Sequence, residues 1–260
     1  MQLSISDQKG VHIGEELFGL FFEDINYAGD GGLYAEQIEN RSFEFLDCYG
    51  DRGDYYAVPD YGYAWSPFGE GEPGKMQYVT GSPVDPKNPH YLRFTAAKAG
   101  QGFCNRAYRG IFLEKGKKYR VSFYARTASY RGNLTVSVQK DGRVFASAAV
   151  ACVLAPEGTW QKWNCYETVL TAEEDAEGAA FVIALDRAGT VEFDFVSMMP
   201  CDAVDGVFRR DLVEMLRGLK PGFLRFPGGC IVEGNTMENR YRWKESVGRP
   251  EGRRANFNRW

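Results

Sequence analysis

Apolar positions recur two apart in three stretches of this chain: Tyr119-Arg-Val-Ser-Phe-Tyr-Ala-Arg126, Leu134-Thr-Val-Ser-Val-Gln139 and Val191-Glu-Phe-Asp-Phe-Val196. That is the period of a strand with one face buried. Turn signals at Glu114-Lys-Gly-Lys117 and Lys140-Asp-Gly-Arg143 separate such runs at the spacing of an antiparallel sandwich. Residues 48–199 are therefore predicted to form an all-β module. The flanks differ in character. Leu3 to Ile13 alternates loosely, Phe18 to Ile25 is a short apolar run suited to a buried strand, Ala28-Gly-Asp-Gly-Gly32 is a loop, and Leu33 to Glu39 suits a short helix. In residues 200–260 the period changes to three or four. Phe208, Leu212, Met215, Leu216 and Leu219 define one helix face, with Asp205 as N-cap and Lys220-Pro-Gly222 as stop. Phe223-Leu-Arg-Phe226 then reads as a strand running into Pro227-Gly-Gly-Cys230. Strand, helix and strand in residues 1–47 and 200–260 make a βαβ pattern, with the β module inserted between them. The expected fold class is α/β plus all-β.

Composition narrows the class of partner. Hydrophobic residues make up 44% and charged residues 25% of the chain, the balance of a folded globular protein. The net charge of −4 arises from 35 acidic and 31 basic side chains that are interleaved, so no basic stripe offers a track for nucleic acid or an anionic membrane. No run of apolar residues is long enough to span a bilayer, and the start lacks the basic and apolar regions of a secretion signal; as written, a cytoplasmic location is favoured. Six cysteines at irregular spacing, without a C-x-x-C pair, argue against zinc and a disulfide scaffold, and mostly reduced thiols are expected. His12 and His90 stand alone, so no metal triad is expected.

The chemistry points to strand ends. Glu23 and Asp24 close an otherwise hydrophobic strand, where polar groups usually face a site because burying them unpaired is costly. Arg225 lies at the matching place in the second strand, and sites of parallel sheets gather at C-terminal strand ends. Read from the residues alone, Glu23 is equally a solvated strand end, Arg225 a structural ion-pair partner, and Cys230 a small buried hydrophobe. Trp65, Trp160, Trp163 and neighbouring tyrosines suit a sandwich core, or a platform on which a sugar ring stacks.

Two motif blocks carry a resemblance. Phe18-Gly-Leu-Phe-Phe-Glu-Asp-Ile-Asn26 with Gly29 to Glu36 and Asn40-Arg-Ser-Phe-Glu-Phe45, and later Phe208 to Leu216 with Lys220-Pro-Gly-Phe-Leu-Arg-Phe-Pro-Gly-Gly-Cys230, Val232-Glu-Gly234 and Tyr241-Arg-Trp-Lys-Glu245, resemble the α-L-arabinofuranosidases of glycoside hydrolase family 51 in order and spacing. The resemblance implies the first strands of a (β/α)8 barrel, interrupted by a carbohydrate-binding-like sandwich of galactose-binding-like jelly-roll type. It implies a retaining hydrolase acting on arabinose-containing glycans, without cofactor, and a homo-oligomer as the full-length enzyme, and it leaves a structural calcium ion in the sandwich open. On the same footing Glu23, Arg225, Gly229 and Cys230 are the expected sugar-binding residues; Cys230 stands where many members carry Asn. The family's acid/base Glu follows an Asn, and no Asn-Glu dipeptide occurs here. No catalytic residue is therefore expected within this chain, which reads as an N-terminal portion that is inactive alone. The alternatives are a non-catalytic carbohydrate-binding β-sandwich protein and a hydrolase in which the sandwich is a spacer.

Overall fold

The computed structural model describes residues 3–5, 7–46, 63–152, 162–234 and 236–256. Strand β1 (Leu20–Phe21) is followed by a run of antiparallel strands: β2 (Trp65–Phe68), β3 (Lys75–Val79), β4 (Tyr91–Ala96), β5 (Gly102–Asn105), β6 (Ile111–Leu113), β7 (Lys118–Arg126), β8 (Asn133–Lys140), β9 (Arg143–Ala151), β10 (Asn164–Thr171), β11 (Ala176–Leu185) and β12 (Gly189–Pro200). Helix α1 (Arg210–Gly218), strand β13 (Leu224–Arg225) and the single turn of helix α2 (Cys230–Glu233) complete the regular elements named here. The fold is mostly sheet with few helices. None of the described helices is long and apolar enough to cross a membrane.

Alternation decides which faces meet. In β7 the buried apolar residues are Tyr119, Val121, Phe123 and Ala125, while the alternate Lys118 and Arg120 are exposed; only at the end of the strand does the alternation break, with Arg126 buried too. A five-stranded sheet of order β10-β7-β12-β4-β3 and a six-stranded sheet of order β2-β5-β11-β8-β9, with β6 beside β11, are built this way. Their apolar faces share one core, where Phe103 of β5 meets Phe193 of β12 at 4.9 Å between ring centres. The Asp-Gly hairpin between β8 and β9 has Asp141 at φ 51° and Gly142 at φ 80°, the left-handed pair that a two-residue turn demands.

The first segment is stitched to this core. Phe43 is fully buried against Trp65, with ring centres 5.1 Å apart, and Ile38 joins the same cluster. The Gln37 amide donates to Met198 O at 3.0 Å and the Val196 amide to Arg41 O at 3.0 Å, so the chain around residues 37–41 runs along the half of β12 that β4 leaves free.

Several expectations are corrected. Leu33 to Glu39 is not a helix: a wide turn over Gly29–Leu33 leads into extended chain, because buried Glu36 is bound over a long range. It accepts from the Met198 amide and the Ser197 hydroxyl and pairs with Arg41. Asp205 does not cap α1. It sits in a turn at φ 53°, and the helix starts at Arg210 with Arg209 in the cap position. Leu3 to Ile13 forms no strand among the described residues, and Leu3, Ile5 and Val11 are exposed.

Candidate functional site at the ends of the parallel strands

Strands β1 and β13 pair in parallel, with Leu20 opposite Leu224 and Phe21 opposite Arg225. The amides of Leu20, Phe22 and Asp24 donate to the carbonyls of Phe223, Arg225 and Pro227, each at 2.9 Å, so the pairing continues past the ends of both strands. Side chains alternate across such a pair. Phe21, Glu23 and Arg225 thus stand on one side, while the Phe22 and Phe226 rings meet on the other, tilted by 32° with centres 5.9 Å apart.

The Glu23 carboxylate is held by backbone. Its Oε1 accepts from the Gly229 amide at 3.0 Å and the Ile231 amide at 3.1 Å, while Oε2 makes no hydrogen bond among the described residues. Gly228 makes this possible. It has φ 140° and is buried, and a Cβ there would lie 2.4 Å from Glu23 Cγ. Arg225, at the matching strand end, forms no ion pair with Glu23 among the described residues, and so is not the structural ion-pair partner the residues alone allowed. The exposed guanidinium instead lies 4.7 Å over the Phe21 ring, leaving its donors to solvent. Cys230 carries a free, exposed thiol at the start of α2, so it is not a buried hydrophobe.

The next residue, Asp24, carries a second carboxyl on the opposite side of the strand, near Gly29. Burial pushes the Asp24 carboxyl above the ordinary carboxylate range and the charge of Asp30 adds to this, against the Gly29 amide, which favours the ionised form. Beyond α2, residues 238–242, 245–246 and 253–256 line an open cavity of about 340 Å³. Neither Glu23 nor Arg225 lines it. Its Tyr241 meets the other face of the strand pair: the Tyr241 amide donates to Val232 O at 3.1 Å and its ring meets Phe226 edge-on at 6.4 Å.

The aromatic candidates of the sandwich separate. Trp65 is core, 1% exposed, with its indole N–H donating to Asn40 O at 2.9 Å. Trp163 is half-buried, with the Arg126 guanidinium 4.2 Å over its ring and Tyr91 edge-on at 5.2 Å. Trp160 and Cys48 lie outside the described residues. His90 is not alone: its Nδ1 lies 2.8 Å from Glu44 Oε2. Among the described residues no three His, Cys, Asp or Glu side chains come together as a metal-holding group.

The chain's resemblances to known proteins agree with one another. Residues 215–260 match the family model described as the alpha-L-arabinofuranosidase 1 domain. Alpha-L-arabinofuranosidase 1 of Arabidopsis thaliana is 34% identical, aligned over 99% of this chain and 38% of its own length. The extracellular exo-alpha-L-arabinofuranosidase of Streptomyces chartreusis is 35% identical over 97% of this chain and 30% of its own. Among solved structures, an arabinose-bound α-L-arabinofuranosidase of family 51 superposes with a TM-score of 0.77 at 31% identity, covering 92% of this chain and 38% of that one. The chain thus spans about a third of the length of these relatives.

Proposed function

We propose, from a chain that corresponds to the N-terminal portion of the family 51 α-L-arabinofuranosidases, that the protein it forms part of releases terminal α-L-arabinofuranosyl groups from arabinose-containing polysaccharides and oligosaccharides. In this reading β1 and β13 are the first two strands of a (β/α)8 barrel, α1 is the helix between them, and residues 48–199 are an inserted carbohydrate-binding-like sandwich of jelly-roll type. The parallel pairing of β1 with β13 across the whole sandwich supports that division.

The observation that carries the proposal is the Glu23 carboxylate at the C-terminal end of β1. Two backbone amides fix one oxygen and the other is left to accept from a hydroxyl, which is how a neutral furanose is gripped and oriented. Arg225 offers donors from the same side, Gly229 lets backbone come close to the ring, and Cys230 borders the site at the start of α2. These residues bind and orient. The protonation of the leaving oxygen and the attack on the anomeric carbon fall to carboxylates that this chain does not contain.

Saturation-transfer NMR of the 260-residue chain with L-arabinose tests the binding role. The expected result is a signal that Glu23→Ala abolishes, alongside no turnover of an aryl α-L-arabinofuranoside by either protein. A signal indifferent to Glu23→Ala would end the assignment, and robust turnover would show that the catalytic carboxylates lie within this chain after all.

A further inference from the structure

Among the described residues, the sandwich is joined to the cavity-forming segment by a specific set of hydrogen bonds. The turn Asp85–Asn88 is closed by the Asn88 amide donating to Asp85 O at 3.0 Å and by the Lys87 amide donating to Asp85 Oδ1 at 2.9 Å. From this turn the Asn88 side chain, only 2% exposed, donates one amide hydrogen to Glu251 O at 2.9 Å and the other to Arg253 O at 2.7 Å. Lys87 Nζ donates to the carbonyl between them, Gly252 O, at 2.8 Å. Three consecutive carbonyls are thus captured by two adjacent side chains. From the neighbouring sheet the Tyr124 hydroxyl donates to Glu251 Oε1 at 2.9 Å and accepts from Arg249 at 2.9 Å.

What is captured is the strap that turns into the cavity wall. Residues 253–256 line the cavity directly after the clamp, and Asn256 reaches across to donate to Asn239 O at 3.1 Å on the facing side. The facing side includes Tyr241, bonded to Val232 and packed on Phe226, the residue after Arg225. A continuous path of contacts therefore runs from a loop of the sandwich to the end of β13.

We propose that the sandwich acts as a positioning element, in which Asn88, supported by Lys87, fixes the strap at residues 249–253 and so sets the wall of the cavity beside the parallel strand ends. Asn88 is a positioning residue: it touches no sugar and acts through the strap. The clamp does not depend on the function proposed above, whose residues Glu23 and Arg225 do not line this cavity; only the arabinose readout below rests on that function.

Hydrogen exchange on the 260-residue chain reads both parts. The Gly252 and Arg253 amides, bonded to Arg249 O and Pro250 O, report the strap, and the Tyr241 and Glu245 amides, bonded to Val232 O and Arg242 O, report the facing wall. Asn88→Ala and the isosteric Asn88→Asp, which turns a double donor into an acceptor facing two carbonyls, are both expected to speed strap exchange at least about tenfold and wall exchange about threefold. Amides of β8 and β11 should keep their rates. Lys87→Met, a change at an exposed side chain, should move the strap the same way by a smaller factor. The proposal is overturned if the strap loosens while the wall does not, if Asn88→Asp behaves like the parent, or if β8 and β11 loosen equally. L-Arabinose affinity, read in parallel, should weaken severalfold in Asn88→Ala. A parent chain that binds no arabinose would remove the sugar-site reading and leave the exchange pattern to decide the clamp.

Discussion

Asp194 is the least comfortable side chain in the sandwich, and replacing it should stabilise the protein in a pH-dependent way. It lies on β12 at the point where the pairing with β7 shifts register, beside Phe195 at φ 46°, and it is fully buried. Its Oδ1 accepts from the Phe195 amide at 2.8 Å, while its Oδ2 makes no well-formed hydrogen bond among the described residues. Burial pushes its pKa up to about 8, and the Glu44 carboxylate pushes the same way; the Phe195 and Val84 amides and the Arg126 guanidinium pull back without prevailing. In the unfolded chain the same carboxyl ionises near 3.8. The folded state therefore keeps a proton that the unfolded state releases. Whatever stability the neutral carboxyl confers is whole below about pH 4 and is lost as the pH rises through about 8.

The size follows from the interval. Each pH unit between the two pKa values is worth about 1.4 kcal/mol, so by pH 7 the penalty approaches about 4 kcal/mol, an upper bound for a group whose surroundings relax. Asp194→Asn keeps the acceptor for the Phe195 amide and cannot ionise. Urea unfolding of both proteins between about pH 4.5 and pH 7.5 gives the difference in stability, in which the other titrating groups cancel as long as they are independent of this site. The variant should gain on the parent steadily with pH, by about 2 to 4 kcal/mol across that range. A difference that does not change with pH, or a variant less stable than the parent at the upper end, would refute the claim that Asp194 folds in its protonated form.

Glu192→Gln tests the opposite case, a buried charge that is well paired. Glu192 accepts from Arg93 at 2.6 and 2.8 Å and from Arg126 at 2.5 Å, and the Arg126 side chain is only 3% exposed. Removing the negative charge strands that guanidinium, so a loss of about 3 kcal/mol in urea unfolding is expected, and a change below about 1 kcal/mol would contradict it. Gly228→Ala should leave sandwich stability alone while driving the Glu23 carboxylate away from the Gly229 and Ile231 amides, given the 2.4 Å approach to Glu23 Cγ. Arabinose affinity, measured by NMR titration, should fall by about tenfold, the equivalent of about 1.4 kcal/mol; unchanged affinity would mean that the held conformation of Glu23 does not matter.

The parts of this molecule that were legible in the sequence are those where local pattern and structure share a cause. The alternation of Tyr119 to Arg126 survives because each second side chain is buried in β7, and the Asp-Gly signal at residues 141 and 142 survives because few other residues tolerate those angles. The α1 helix and the two short parallel strands were legible as elements, which placed Glu23 and Arg225 at neighbouring strand ends, but not as buried ones: α1 buries no residue, and Phe18, Phe21 and Leu224 are exposed, against the reading of Phe18 to Ile25 as a buried strand. What failed depended on distant partners. Leu33 to Glu39 has a helical composition, yet Glu36 is committed to Ser197 and Met198, more than 160 residues away, and no local pattern announces that. A Glu and an Arg on adjacent strands suggested an ion pair; the amides beyond Gly228 reached the carboxylate first. Asp194 reads as an ordinary outward polar position in an alternating strand. It is buried, with Glu44 and Val84, both distant in the sequence, close to it.

The same long-range contacts bear on what the sandwich is for. A sugar-stacking platform needs an aromatic face open to solvent, and the two described tryptophans of the sandwich cues do not offer one freely. Trp65 is locked in the core. Trp163 has one face under the Arg126 guanidinium, its edge against Tyr91 and its N–H on Ser82 O, an arrangement held in turn by Glu192. A passive spacer, conversely, would have no use for a nearly solvent-free asparagine presenting two donors to the backbone of another segment. Desolvating that amide is costly unless both hydrogens are satisfied, and here both are satisfied by the strap at the cavity wall. The polar groups of the sandwich are thus spent on internal ion pairs and on holding that strap, and it is the second commitment that links an element remote in sequence to the ends of β1 and β13.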